Sequence, residues 1–438
     1  MKKINNKLVD LPFGYLRGTI KPKKLTGSFK ADVIVVGGGM AGIAAAQSFN
    51  DKGYSVVLLE RYFCGSGATG KSGGFVTPDG ELGLRHLTNI YGHDSALKLW
   101  EFVASGVKHI RANIKKYGFD CDYQDHNAFI AANCLAGLKE IEQEHETRKK
   151  FNYHSVLYDE YTLPHIIGSS QYFGGVRYDN TFGIIPYMYV QGMKDVLIEN
   201  GVDVYEEVTV TKINPHSVRA QDIEIYADYI IICGDYDAGR LNGLANQTYH
   251  AQNFVMVSSP LTDAQIQQIF PQDNLMVWDT DIVYQFYRLI QNNRLLLGGG
   301  SIPSFYAPYQ YYNDSRMYRN MHNKLISYCK KKFPSVILDF NYMWTGLFGI
   351  SKDMMPIAGF NSQSRSIYYI ACSAGLAWAT RLGSYSAECI MDGRNDMDSF
   401  FLPTRSFPIG PVLQKIIGKP FSFAFSNFMA VYCKAKKT

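Results

Sequence analysis

Residues 31–75, ADVIVVGGGMAGIAAAQSFNDKGYSVVLLERYFCGSGATGKSGGF, constrain the fold more than any other stretch. Asp32 to Val36 is a short apolar, β-branched run, as in a buried strand. Gly37, Gly39 and Gly42 follow at G-x-G-x-x-G spacing. Ala41 to Phe49 is small and apolar, a helix able to lie close to a sheet. Ser55 to Leu59 reads as a second strand and runs into Glu60, 23 residues after Gly37. Each glycine has a physical reason: a tight turn, access of a pyrophosphate to the backbone, and close helix–strand packing. The helix N-terminus presents free N–H groups and a partial positive charge to a diphosphate. Glu60 can accept hydrogen bonds from a ribose hydroxyl pair. The motif is weak alone, but strand, helix and acid are all present, which predicts a dinucleotide site. These residues leave open whether the dinucleotide is NAD or FAD.

The rest of the chain narrows the class. Its 438 residues allow two or three structural domains. With 46% hydrophobic and 19% charged residues it has an ordinary globular composition. The net charge of +5 is modest, and no basic repeat or nucleic-acid motif occurs. Eight cysteines are scattered with no C-x-x-C pair, so free thiols in a reducing, cytoplasmic compartment are expected. The lysine-bearing start lacks an apolar core like that of a secretory signal, and no run approaches a transmembrane helix.

In chain order, residues 1–30 read as an arm. Gly65 to Gly74 (GSGATGKSGG) can wrap backbone N–H groups around phosphates or a ring edge. Ala96 to Tyr117 has helical spacing. Leu135 to Phe151 reads as a surface helix whose charge run is a solvated face. Tyr187 to Asn200 predicts a helix closed by Gly201. Val202 to Ile213 predicts a strand pair, and Ile223 to Gly234 a hairpin-like strand followed by a strongly apolar one. Ile282 to Ile290 and Arg294 to Gly300 flank the turn Gln291-Asn292-Asn293, a hairpin signal, with Arg294 to Leu297 as the second strand. No second G-x-G-x-x-G opens, so one dinucleotide site is expected. The aromatic segment Phe421 to Tyr432 shows no clearly one-sided face, and packing on the body is expected over membrane contact.

Several stretches together resemble the FAD-dependent D-amino-acid-oxidase-like superfamily, and within it the gamma-glutamylputrescine oxidase branch. They are VIVVGGGMAGIAAA with GSGATGKSGG, FDCDY, FYRLIQNNRLLLGGG, YMWTGLFGISKDMMPIAG, IYYIACSAGLAWATRLG and RSFPIGP. The resemblance implies an α/β (α+β) fold: a discontinuous Rossmann-like FAD-binding domain plus a mixed antiparallel-sheet substrate domain with helices. The expected boundaries are 31–110, 180–250 and 336–395 for the first, 111–179 and 251–335 for the second. A tail, 396–438, packs on the body. It implies non-covalent FAD held by Gly37, Gly39, Met40, Ala41, Gly42, Glu60 and Arg61. Ser66, Gly67, Ala68, Thr69, Lys71, Ser72 and Gly73 would line the phosphates and ring edge. Val210 would offer backbone contacts to the adenine, and Cys233 and Gly234 would be further cofactor-binding positions. Gly346, Pro356, Gly359 and the loop Cys372 to Trp378, with Gly375, Leu376, Ala377 and Trp378, would shape the far side of the ring.

The implied reaction oxidises the C–N bond of an amine or amino acid by hydride transfer to flavin N5. The imine product hydrolyses, and dioxygen or another acceptor reoxidises the flavin. Substrate-site candidates are Gln285 and Tyr287, which share a strand face with Arg288 opposite, together with Trp344 and Lys352. Lys352 beside Asp353 also reads as a surface ion pair. The chain departs from the branch pattern at Cys372, Leu376 and Ala377, which replace Gly, His and Gly, and at Gly183-Ile184-Ile185-Pro186, which lacks the usual His. Those departures motivate a second reading, a flavin-binding protein with lost or altered turnover that acts as an interaction partner. A third, an NAD-dependent dehydrogenase, gives no use to the C-terminal flavin-like segments.

Overall fold

The computed structural model describes residues 12–16, 23–235, 244–281, 283–304, 315–373, 375–407 and 409–432. Its first sheet grows from the opening βαβ unit. Lys30–Val36 pairs in parallel with Val56–Leu59 on one side and with Ile223–Ile232 on the other. Asp203–Tyr205 extends the first edge, and Ser364–Ala371 the second, both in parallel. Ile357–Asn361 closes the sheet antiparallel. Where these strands pair in parallel at the centre of the sheet they are apolar runs, as expected of a parallel sheet covered on its faces. Val33 to Val35 and Ile230 to Ile232 have no exposed surface.

The helix Met40–Asn50 follows the first strand, with Gly39 as its N-cap. Gly37 sits at φ +109°, and a Cβ there would lie 2.6 Å from the Cys233 carbonyl oxygen. A Cβ on Gly42 would lie 1.8 Å from the Gly37 carbonyl oxygen. The helix can enter this close to the turn only without a side chain at either position. It packs on Leu376–Met391 and lies near Pro186–Glu199. Helix Leu376–Met391 in turn packs on His93–Tyr117.

The second sheet has eight strands, in the order Phe340–Ser351, Thr248–Pro260, Arg294–Ser304, Gln285–Ile290, Leu275–Asp279, Asn127–Ala131, Gly174–Tyr178 and Val156–Asp159. All neighbours are antiparallel except Leu275–Asp279 with Asn127–Ala131. Helix Ser315–Lys332 covers one face over a core that includes Phe254, Tyr287 and Leu297. A two-stranded ribbon, Phe75–Val76 with Phe182–Gly183, joins segments far apart in sequence.

The structure corrects several expectations. Ile223–Ile232 is one unbroken strand, and its hairpin partner is Ser217–Ala220. Asp203–Tyr205 and Val210–Asn214 do not pair with each other; one edges the parallel sheet and the other pairs with Ser217–Ala220. The strand from Arg294 runs on through the glycines to Ser304. Phe340–Ser351 pairs in the second sheet. The return to the first sheet therefore comes at Ile357, not at residue 336. The arm contributes the short helix Phe13–Leu16, whose Tyr15 hydroxyl donates to the carbonyls of Gly65 and Ser66 at 3.0 Å. The strand expected from residue 282 begins at Gln285, and Ile282 lies outside the described residues.

Gly42→Ala tests the close approach. The added carbon must displace backbone, so a loss of about 3 kcal/mol in unfolding free energy is expected. An unchanged midpoint in thermal unfolding would show that the helix does not depend on it.

Candidate active site

A cavity of about 1160 Å³ runs between the two sheets. It is larger than most small-ligand pockets, about 300–1,000 Å³, and has room for a dinucleotide with a substrate beyond it.

One end is built by the glycine turn. Gly37, Gly39, Met40 and Ala41 line it, with Glu60, Arg61, Val210, Cys233 and Gly234 across from them. Gly39 offers no side chain to cap the helix, so apart from the Met40 N–H, which the Thr69 hydroxyl takes, the first turn is left to a bound anion. Glu60 accepts hydrogen bonds from the Gly38 N–H at 2.7 Å, the Tyr62 N–H at 3.0 Å and the Ser66 hydroxyl at 3.3 Å. Burial raises its pKa, and these bonds oppose the rise. Glu60 therefore braces the glycine turn as well as lining the cavity. This end suits the ADP half of FAD: bare backbone at a helix start, with a carboxylate at the end of the second strand.

The middle is the loop after Glu60. Ser66, Gly67, Ala68, Thr69, Lys71, Ser72 and Gly73 all line the cavity, and Ala68–Lys71 is a single helical turn within the loop. The Thr69 hydroxyl oxygen accepts from the Met40 N–H at 3.2 Å, which ties the loop to the fingerprint helix. Two charged side chains, one buried and one half-buried, fix this loop and the opposite wall. Arg288, with no exposed surface, donates from Nε to the Gly73 carbonyl at 2.8 Å, and from Nη2 to the Ile184 carbonyl. Burial lowers its pKa to about 10, and Asp122 opposes that fall. Asp235 accepts from the Gly349 N–H and from the Cys372 N–H, both at 3.1 Å. It thereby joins the second sheet to the loop before Leu376. Cys372 itself sits at φ +54°, the left-handed region that favours glycine.

Gly346, Gly375 and Leu376 line the cavity. Gly42, Ala377 and Trp378 do not reach the cavity. Ala377 and Trp378 pack on helix His93–Tyr117, where Trp378 meets Phe102. Pro356 and Gly359 are likewise outside it, and Gly359 backs onto Leu402.

The four substrate-site candidates move. Tyr287 and Gln285 lie on the face of their strand turned away from the cavity. Tyr287 is buried among Tyr172, Phe270 and Phe333, and its hydroxyl is 3.3 Å from that of Tyr172. Strand alternation instead gives the cavity Tyr284 and Phe286, with Arg288 on the same face. The alternation was legible; which face turns inward was not. Trp344 stands behind the lining, its indole N–H donating to the Lys71 carbonyl at 3.0 Å. Lys352 is buried, donates to the Ile409 carbonyl at 3.2 Å and lies over the Phe407 and Phe423 rings. It holds the tail and is no surface partner of Asp353, whose carboxylate pairs with Arg405.

The other end of the cavity carries groups that sequence reasoning did not find. Asp79, Glu81, Glu140, Glu144, Asp279 and Asp281 line it, with the aromatic rings of Trp278, Tyr284 and Phe286. Arg85 is the cation among these lining residues, and Arg148 stands behind them. Arg148 donates to Glu144 Oε1 at 2.8 Å and to Asp79 Oδ1 at 3.0 Å, and its guanidinium lies 3.8 Å from the Tyr178 ring centre. Asp79 also accepts from the Tyr178 and Thr77 hydroxyls. The helix Leu135–Lys150 is thus not solvated all along its charged side, because Glu144 and Arg148 are 7% and 3% exposed. Burial, with Arg85 beside it, holds the His86 pKa down to about 4, so this lining residue is neutral at pH 7. Burial raises the pKa of Glu81, and raises that of Asp279 to about 6.

A parallel, βαβ-based sheet and a mostly antiparallel sheet around a dinucleotide-sized cleft, with no side-chain cap from Gly39 at the helix start, define a nucleotide-binding protein. The sequence model of FAD dependent oxidoreductases matches residues 32–389, and the chain belongs to that family. It is 29% identical over 400 residues to gamma-glutamylputrescine oxidoreductase of Escherichia coli, covering 89% of this chain and 91% of that protein. It is also 29% identical over 281 residues to a probable oxidoreductase OrdL of Haemophilus influenzae, covering 62% of this chain and 65% of that one. Among solved structures, glycine oxidase from Geobacillus kaustophilus superposes with TM-score 0.72 at 16% identity, over 87% of this chain and all (100%) of that one. L-amino acid deaminase from Proteus vulgaris superposes with TM-score 0.70 at 14% identity, over 89% and 100%. The cofactor is FAD.

Two substitutions test the construction. Arg288→Met leaves the Gly73 and Ile184 carbonyls unpaired; retained flavin should fall by roughly tenfold, and Arg288→Lys should not restore it because an ammonium lacks the planar fork. Full yellow protein from either variant would remove Arg288 from the account. Arg148→Met strands two buried carboxylates and should cost about 3–5 kcal/mol in urea unfolding. A cost near zero would mean those carboxylates are solvated after all.

Proposed function

We propose that this chain oxidises the C–N bond of a small amine or amino acid whose carbon skeleton carries a further positive charge. The observation that carries the reading is the unbroken cavity, which runs from the glycine turn to the end rich in carboxylates. FAD, when bound, supplies the electron sink that accepts a hydride from the carbon bearing the amine. The chain's own residues bind, orient and desolvate. Phe75 and Phe286, with ring centres 5.5 Å apart, and Trp278 give the substrate region apolar walls. Such walls disfavour a charged amine next to the reacting carbon and favour the neutral form that oxidation needs. The imine then hydrolyses in water.

The carboxylates act at the other end of the substrate. Asp79 and Glu144 are matched by Arg148, but Glu81 and Glu140 face the same cavity away from that pair. A cation fixed there would aim the oxidised C–N bond back toward Gly73 and Leu376. The names of the relatives support the amine or amino-acid class, since gamma-glutamylputrescine, glycine and L-amino acids each carry an amine on a saturated carbon; the further positive charge rests on the carboxylates of this cavity alone. The electron acceptor that completes the cycle is dioxygen or another small carrier.

Anaerobic mixing with a panel of amines tests the reading through loss of flavin absorbance. Diamines and amino-acid derivatives with a free distal amine should bleach the flavin fastest, and dicarboxylic amino acids slowest. Glu81→Gln should raise KM for a diamine by about tenfold with little change in kcat, as for a lost uniform binding contact. No bleaching across the panel would favour the alternative, a flavin-holding interaction partner.

A further inference from the structure

The segment after Asp398 has a property that catalysis does not use. Residues 399–438 hold six lysines or arginines and no aspartate or glutamate; of the six, Arg405 is paired with Asp353 and Lys419 lies over the Phe423 ring, while Lys415 is exposed. Within them, Pro411–Ile417 and Lys419–Tyr432 are consecutive helices broken at Gly418, φ +83°. Each is pinned to the body by one face. Gln414, 6% exposed, donates to the Asn246 carbonyl at 3.2 Å. Phe423 has no exposed surface and meets the Tyr249 ring edge-on at 4.9 Å, and Ser422 and Ser426 are buried beside it.

The opposite faces are apolar and open. Val412 and Ile416 are each 76% exposed, Phe421 61% and Phe425 43%. Val412 and Ile416 are four residues apart on one helix, Phe421 and Phe425 four apart on the next, so each pair shares a face. Helix Lys419–Tyr432 is therefore two-faced, contrary to the reading of its sequence. Lys415 is exposed on the same short helix, and Lys434, Lys436 and Lys437 follow in the sequence beyond the described residues.

We propose that this surface docks the protein on an anionic lipid membrane. Apolar side chains enter the boundary between headgroups and acyl chains while lysines meet the negative headgroups. A second copy of the chain is a poorer occupant. A symmetric contact would set two such segments, each with an excess of positive charge, against each other. No helix among the described residues is long and apolar enough to cross a membrane, so the contact lies in the plane of the interface. Because the pinned faces stay on the body, docking requires no unfolding of the flavin site.

Co-sedimentation of the flavin-loaded protein with vesicles tests this. Equimolar phosphatidylglycerol and phosphatidylcholine should carry it down, with binding at least roughly tenfold weaker on phosphatidylcholine alone or in high salt. Combining Val412→Ser, Ile416→Ser, Phe421→Ser and Phe425→Ser should abolish binding while flavin absorbance and thermal midpoint stay as in the parent. Protein that remains in solution with both vesicle types overturns the proposal, as does a variant that binds like the parent. A doubled mass in solution that the variant abolishes, without vesicle binding, would assign the surface to a second copy.

Discussion

The cleft between the two sheets depends on how the main chain along its walls is positioned, because much of the cofactor end is lined by backbone and small side chains. Two charged side chains, the buried Arg288 and the half-buried Asp235, hold that backbone. Arg288 reaches from the second sheet to the carbonyls of Gly73 and Ile184, and Asp235 reaches from the first sheet to the N–H groups of Gly349 and Cys372. Each fixes main chain on the far wall, so the cavity lining can consist of backbone and small side chains. The arrangement is stable only with both partners present, because a buried charge without its hydrogen bonds is costly.

From that constraint the site divides into three. The turn at Gly37, braced by Glu60, leaves the helix start bare for a diphosphate. The loop Ser66 to Gly73 carries the cofactor along the cleft. The third part, around Asp79 and Glu144, is charged in the sense opposite to an ammonium. Arg148 and the lining Arg85 do not cancel the field, since these two guanidiniums stand against the carboxylates of Asp79, Glu81, Glu140, Glu144, Asp279 and Asp281. The membrane-facing helices are fixed to this body through Lys352 and Phe423, so a residue first read as a substrate contact serves the tail instead.

What the sequence made legible was local. The fingerprint from Val33 to Glu60, the loop Gly65 to Gly74 and the turn Gln291 to Asn293 each depend on neighbours within a few tens of residues, and each stands where its pattern put it. What it hid was long-range. The acidic end draws on residues 79–86, 140–148 and 278–286, which no spacing rule connects. Glu144 and Arg148 looked solvated because burial of a charge pair depends on Asp79 and Tyr178, distant in sequence. Strand alternation separated Tyr287 from Arg288 correctly, yet the inward face was decided by Gly73 on the opposing wall. The continuous strand Ile223–Ile232 was split in two because its polar first half pairs in a hairpin that extends beyond the parallel part of the sheet.

The central claim is that the cleft is built end to end for FAD and holds it without a covalent bond. Denaturing the purified protein and weighing the released chromophore tests this most directly. The account predicts one FAD per chain, freed completely by denaturation alone. A released nicotinamide dinucleotide, or yellow colour that stays with the precipitated chain, would contradict it.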